Sequence, residues 1–201
     1  MPPAPKLHTL LQFVDDVALS DLSNEKLEYV DGRVTQKTLP GGRHGRLENR
    51  IGSRIGTLFD RKARPDGQGG WWIMTEASVL YRAASEQGRI LTADVAGWKR
   101  DRVPEWPDEY PIASRPDWIC EVSHSTRRKD TTLVPETLAA EGVPWYWMLD
   151  ALAENLLVFA LSPRGYVLHG SFFREDGDVL IPPFDAVPIS LPYLLGDDLE
   201  D

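Results

Sequence analysis

Trp118-Ile119-Cys120-Glu121-Val122 is the stretch on which the fold turns. It has the length and apolar content of a strand in the middle of a sheet, yet Glu121 stands inside it. A carboxylate among core-strand residues is costly to bury unless it is paired, protonated or bound to a cation. Upstream, Ile90-Leu91-Thr92-Ala93-Asp94-Val95-Ala96-Gly97-Trp98 repeats the arrangement, with Asp94 as the acid. If the two strands are neighbours, the two acids converge at one point on the sheet edge. Two carboxylates plus water suit Mg²⁺, which takes octahedral oxygen ligation at about 2.0–2.1 Å. Such an ion activates water and neutralises charge on a phosphate. The open alternative is that each acid points outward from a half-buried strand.

Working outward, the spacing of Leu7, Leu10, Leu11, Val14 and Val17 or Ala18 predicts a helix over residues 7–19. Leu27-Glu28-Tyr29-Val30, the turn dipeptide Asp31-Gly32, and Arg33-Val34 predict a hairpin. After the Leu39-Pro40-Gly41-Gly42 break, Leu47, Ile51, Ile55 and Leu58 form one apolar stripe on a helix running to about Asp60. His44 and Glu48 extend that stripe toward the helix start. Trp71–Tyr81 reads as a further strand. Between Val103 and Pro116 lies a proline-rich loop containing Trp106 and Tyr110.

Residues from about Lys129 to Glu141 read as a helix with Leu133, Val134, Thr137 and Leu138 inward, closed by Gly142. Pro135 is tolerated there if it sits in the first turn. Trp145–Leu149 is an apolar strand. Leu156–Leu161, Gly165–His169 and Val179–Ile181 look like a meander with turns at Ser162-Pro163 and Asp176-Gly177. Helices packed on a mixed, largely antiparallel sheet fit this order, an α/β (α+β) fold. The expected organisation is a single domain over 1–201: an N-terminal helix and lead-in at 1–24, a core at 25–170, and a C-terminal strand and acidic tail at 171–201.

The 201 residues are 42% hydrophobic and 26% charged, an ordinary globular composition. A single cysteine, Cys120, excludes an internal disulfide framework and fits a reducing compartment. No apolar run approaches the roughly 18 residues of a membrane span. A cytoplasmic protein is expected, with no membrane partner. The net charge of −9 runs against the basic footprint of nucleic-acid binding. A local basic groove is still available from Arg43-His44-Gly45-Arg46 with Arg50 and Arg54, and from Arg127-Arg128-Lys129. The alternative reading is that these are solvated helix ends.

Several blocks resemble, in order, those of the Uma-two family of restriction-type endonucleases within the PD-(D/E)XK nuclease superfamily. Leu27-Glu28-Tyr29-Val30-Asp31-Gly32-Arg33-Val34 is similar to its "YELVDG" hairpin, and His44-Gly45 to its "HG" helix start. Thr92–Trp98 is similar to "PDLAGW", Glu121–Thr126 to "EVLSPST", and Gly142–Asp150 to "GVPEYWLVD". The resemblance implies a restriction-endonuclease-like core and places Asp94 and Glu121 on the family's metal-binding acids, with Mg²⁺ or Mn²⁺ as cofactor and DNA as partner. Two departures stand out. Where the superfamily has a lysine two residues after the second acid, this chain has Ser123. At the helix position to which the family moves it, this chain has Val134, with Leu138 at the family's tyrosine. Losing one preorganised electrostatic group costs about 10²–10³ in rate, unless Lys129 or Arg128 reaches the same point.

Glu48, one helical turn after His44, matches the helical glutamate that many superfamily members hold near the metal. The alternative is an acid at the wet edge of the stripe. His44 is either a helix-start contact or a general acid/base. Glu76 lies on a strand that only alternation relates to the site. The resulting expectation is a metal-dependent endonuclease that hydrolyses phosphodiester bonds of DNA, with Asp94, Glu121, Lys129, Glu48 and His44 as site residues. The rival is a catalytically inactive nuclease-fold protein acting as a binding or oligomerising module. The apolar Trp145–Leu149 strand and the surplus of tryptophans point to a homodimer.

Overall fold

Asp31-Gly32 sets the first turn. Both residues have positive φ (49° and 83°), the type I′ geometry whose twist matches the flanking strands. The turn joins β1 (Leu27–Val30) to β2 (Arg33–Gln36). The computed structural model describes residues 9–19, 27–37, 41–123 and 132–198. Ahead of the hairpin lies α1 (Leu10–Leu19), and after it α2 (Gly42–Phe59). Then come β3 (Trp71–Tyr81), β4 (Arg89–Lys99), β5 (Trp118–Ser123), α3 (Val134–Glu141) and β6 (Trp145–Asp150). The chain continues through β7 (Asn155–Ser162), β8 (Gly165–Phe173), the short β9 (Asp178–Val179) and β10 (Ile189–Ser190), and α4 (Leu191–Leu194).

Eight strands form one mixed sheet in the order β2-β1-β4-β5-β6-β7-β8, with β3 paired to the other edge of β4. β4 and β5 are antiparallel neighbours, as the two acid-bearing runs require. β5 and β6 run parallel, with α3 in the connection between them. On one face α2 packs Leu47, Ile51, Ile55 and Phe59 against Val95, Trp118, Cys120, Val122 and Trp147; Phe184, Ile189 and Leu191 complete this layer. On the other face α3 packs Val134 and Leu138 against Ala77, Val79, Ala93 and Ile119.

Several expectations shift in detail. Leu11 is 76% exposed, and Phe13 takes its place in the core because its ring lies 5.6 Å from that of Tyr29. Phe59 rather than Leu58 is the fully buried end of the α2 stripe. α3 begins at Val134, which puts Pro135 in the first turn; Gly142 ends it at φ 79°, a left-handed position that glycine adopts without strain. Val179 does not extend the meander. It pairs with Ile189 in a separate two-stranded sheet. β6 lies between β5 and β7, so the apolarity behind the homodimer expectation is taken up by the core. Trp98, Trp118 and Trp147 are fully buried there. No helix among the described residues is long and apolar enough to cross a membrane.

Candidate active site at the fork of the sheet

The site lies where the sheet divides. Along one edge of β4, β1 pairs with Arg89 and Ile90, while β5 pairs with Val95, Ala96 and Gly97. Between these ladders, Leu91–Asp94 has side chains where a neighbouring strand would be. The buried Glu28 carboxylate accepts the Thr92 N–H (3.3 Å), and Lys37 Nζ donates to the Thr92 carbonyl (3.0 Å). Asp94 bridges the gap: its Oδ2 accepts the Val122 N–H of β5 at 2.8 Å. The local polarity of the sequence is therefore what keeps the fork open without stranding backbone groups.

A second irregularity concentrates acids here. β3 and β4 stay in register along their whole length, but the pair that the register sets opposite each other, Glu76 and Asp94, is missing from the ladder. Glu76 has φ 53°, left-handed backbone rare for a residue with a side chain. The facing of both strands inverts at this point. Before it, Trp71 and Ile73 of β3 pack in the α2 layer; after it, Ala77 and Val79 pack in the α3 layer. On β4, Ala93 belongs to the α3 layer and Val95 to the α2 layer. Strict alternation would put residues two apart on the same face. The inversion lets Glu76 and Asp94 both reach the cluster that α2 overhangs.

Asp94 is 1% exposed and, among the described residues, has two cationic partners. Lys37 Nζ lies 2.6 Å from its Oδ1 and 3.7 Å from Glu76 Oε2, and His44 Nε2 lies 3.3 Å from its Oδ2. His44 Nε2 is also 3.8 Å from Glu48 Oε2, one turn along α2. Burial works against the charge of Asp94, but the His44 hydrogen bond and the Lys37 ammonium outweigh it and hold the carboxyl down at about 2. Burial also opposes the charge on Lys37. Glu121, Asp94 and Glu76 together overcome it and push that ammonium above its ordinary range. His44 is lowered by burial and raised more strongly by Asp94 and Glu48, so its net shift is upward. Glu48 goes the other way from Asp94. Burial, the charges of Glu76 and Asp94 and a hydrogen bond with Glu76 lift it to about 7, against the pull of Lys37.

Donor atoms of His44, Glu48 and Asp94 lie within 4.8 Å of one another, close enough to face a single cation. Imidazole nitrogen with two carboxylates is a coherent donor set for a divalent transition ion. The model that describes a family as "Putative restriction endonuclease" matches residues 12–191. The chain belongs to this Uma-two family.

A Uma-two chain is thus expected to share its fold with nucleases, and one solved structure bears on that. A DUF820 "putative nuclease" from Anabaena variabilis superposes with a TM-score of 0.70 at 18% identity, covering 94% of this chain and 97% of that one. At that identity the likeness concerns the fold. No curated protein matches the chain.

Of the Uma-two site residues expected from sequence, the fork brings together Asp94, Glu48 and His44. Glu121 is not in the three-donor set; it enters through Lys37, whose charge it supports most strongly. Glu121 follows the parity of Ile119, which packs in the α3 layer, and it also raises the hydroxyl pKa of buried Tyr81 there, behind burial itself. Lys129 and Arg128 lie outside the described residues. Val134 is buried among Ala77, Val79 and Ile119 on the α3 face and supplies no cation. Sequence reasoning missed Lys37. Its place depends on the β1–β4 pairing across 57 residues of chain to Asp94, and no motif surrounds it.

Proposed function

We propose that this protein is a divalent-metal-dependent endonuclease that hydrolyses phosphodiester bonds in DNA at the fork of the sheet. The observation that carries the proposal is the convergence of His44, Glu48 and Asp94 within 4.8 Å beside the buried ammonium of Lys37. These three would hold the cation, with Glu121 contributing charge from the adjoining strand. A bound divalent ion lowers the pKa of water and offsets charge on the scissile phosphate. A nitrogen donor among carboxylates favours Mn²⁺ over Mg²⁺, which prefers oxygen alone.

The chain's own groups do the rest. Lys37 stands where a cation can stabilise the extra negative charge of the transition state, so it takes the part that Ser123 and Val134 leave vacant. Asp94, locked by the Val122 N–H and by Lys37, gives the site a fixed carboxylate. Glu48, with its carboxyl at about 7 and bonded to Glu76, can hold or release a proton near neutrality.

Titration of Mn²⁺ and Mg²⁺ into the wild type and Asp94→Asn, followed by plasmid nicking with the same ions, tests this. Wild type should bind Mn²⁺ more tightly and nick. Asp94→Asn should lose both, with the nicking rate down by about 10³ or more. Binding without nicking would favour the rival reading, a nuclease fold kept as a binding module, for which the aliphatic Val134 speaks. Absence of binding would remove the metal reading altogether.

A further inference from the structure

Beside the fork, α2 carries Arg43, Arg46 and Arg50 at i, i+3 and i+7, one stripe on the helix about two-fifths of a turn from His44 and Glu48. This stripe does not stand free. Arg46 lies 3.3 Å and Arg50 3.0 Å from the same oxygen of Asp198, and Arg50 also donates to the carbonyls of Tyr193 (2.8 Å) and Asp197. Arg174, which follows β8, pairs with Asp197 and lies 3.4 Å from Glu154; Arg43 lies 2.9 Å from Glu154. Between the helix start and the C-terminal segment runs a groove of about 550 Å³ lined by Arg43, Arg46, Arg174 and Asp197.

The carboxylates on this groove differ from those in the core. Asp198 is 90% exposed and Arg46 57% exposed, and ion pairs in water at such positions hold weakly. They are easily exchanged for another anion. A phosphodiester backbone is a better competitor, because its binding releases condensed counterions. Two of the acids behind the net charge of −9 lie on this cationic surface and mask it.

We propose that the Arg43–Arg46–Arg174 groove is the docking surface for the phosphate backbone of a DNA duplex, and that Asp197 and Asp198 stand in for phosphates until DNA displaces them. The proposal rests on the endonuclease reading for its purpose, but it is tested by binding alone. The groove lies at the start of α2, the helix that also carries His44 and Glu48. Displacement of the acidic segment makes DNA binding depend on the masking charges as well as on the arginines.

The experiment is fluorescence anisotropy with a short labelled DNA duplex in EDTA, across a salt series. Asp197→Asn/Asp198→Asn should bind about tenfold more tightly than wild type at low salt. Arg46→Glu should bind about tenfold more weakly, with the salt slope reduced by about one unit. Both substitutions are at exposed surface, and circular dichroism confirms that the variants are folded. If neither variant moves the affinity, the groove is not the docking surface. Should nicking fail in every protein while the double variant still binds more tightly, the surface stands and the hydrolytic reading falls. Nicking by wild type with no response to either variant overturns the surface alone.

Discussion

The two faces of the sheet treat the fork differently. On the α3 face, Val134 and Leu138 close a cluster of aliphatic residues over Ala77, Val79 and Ile119. On the α2 face, the same strands meet His44, Glu48, Glu76, Asp94 and Lys37, within hydrogen-bonding or ion-pairing reach. The family resemblance leads to the expectation of a cation from α3, on the first face; in this chain Lys37 brings the cation to the fork from the end of the hairpin. Electrostatic support for a site is set by where a charge arrives in space. The end of a hairpin can deliver it as well as a helix can.

Lys37→Ala is the sharpest way to break this comparison. It removes the cation from beside Asp94 and should lower metal-dependent nicking by about 10²-fold. It also leaves the buried Asp94, among the described residues, with His44 as its remaining cationic partner, so the variant should lose stability. Lys37→Arg separates the two effects, because it keeps the charge but changes its shape. Val134→Lys should not rescue Lys37→Ala, since its backbone position faces the aliphatic cluster; a buried lysine there should destabilise the fold instead. Rescue would show that the α3 face reaches the site after all.

What was legible in the sequence follows the range of the interactions. The hairpin at Asp31-Gly32, the α2 stripe and the acid-bearing strands are written in local spacing, and they appear where the spacing puts them. Asp94, Glu48 and His44 were legible because each breaks or extends a local apolar pattern. Lys37 and the face inversion at Glu76 were not, because both depend on which strands pair. The left-handed backbone of Glu76 has no glycine or asparagine to announce it. The sequence marks the C-terminal segment as an acidic tail; in the fold, Asp197 and Asp198 meet arginines about 150 residues away in sequence.

The next comparison is between two carboxyls of the same cluster, Glu48 at about 7 and Asp94 at about 2, against ordinary values of 4.5 and 3.8. Glu48 binds its proton more tightly folded than unfolded, so its contribution is complete below about pH 4.5 and is lost as pH rises through 7. The stability that Asp94 contributes is present above pH 3.8 and is lost as pH falls through 2. Between pH 5 and 8 Glu48 therefore governs, with His44, whose pKa is also raised, acting in the same direction. Urea unfolding in EDTA should show wild type about 2–3 kcal/mol less stable at pH 8 than at pH 5. Glu48→Gln should flatten most of that slope. An unchanged slope would place the titration on His44.

The smallest expected effect isolates the strained residue. Glu76 holds φ 53° in the middle of β3, a conformation that costs a residue with a Cβ about 1–2 kcal/mol. Glu76→Gly removes that strain and the negative charge beside Glu48; the entropy of glycine in a strand takes back about 0.5–1 kcal/mol. Glu76→Ala removes the charge but keeps the Cβ. In metal-free protein the glycine variant should therefore melt about 2–4 °C above the alanine variant, the shift that about 1 kcal/mol produces in a chain of this size. Both should bind Mn²⁺ more weakly than wild type if Glu76 supports the donor set through Glu48 and Lys37. If alanine melts as high as glycine, the strain at Glu76 is no larger than the entropic cost of glycine there; if alanine melts higher by the shift that about 0.5–1 kcal/mol produces, the left-handed backbone carries no strain.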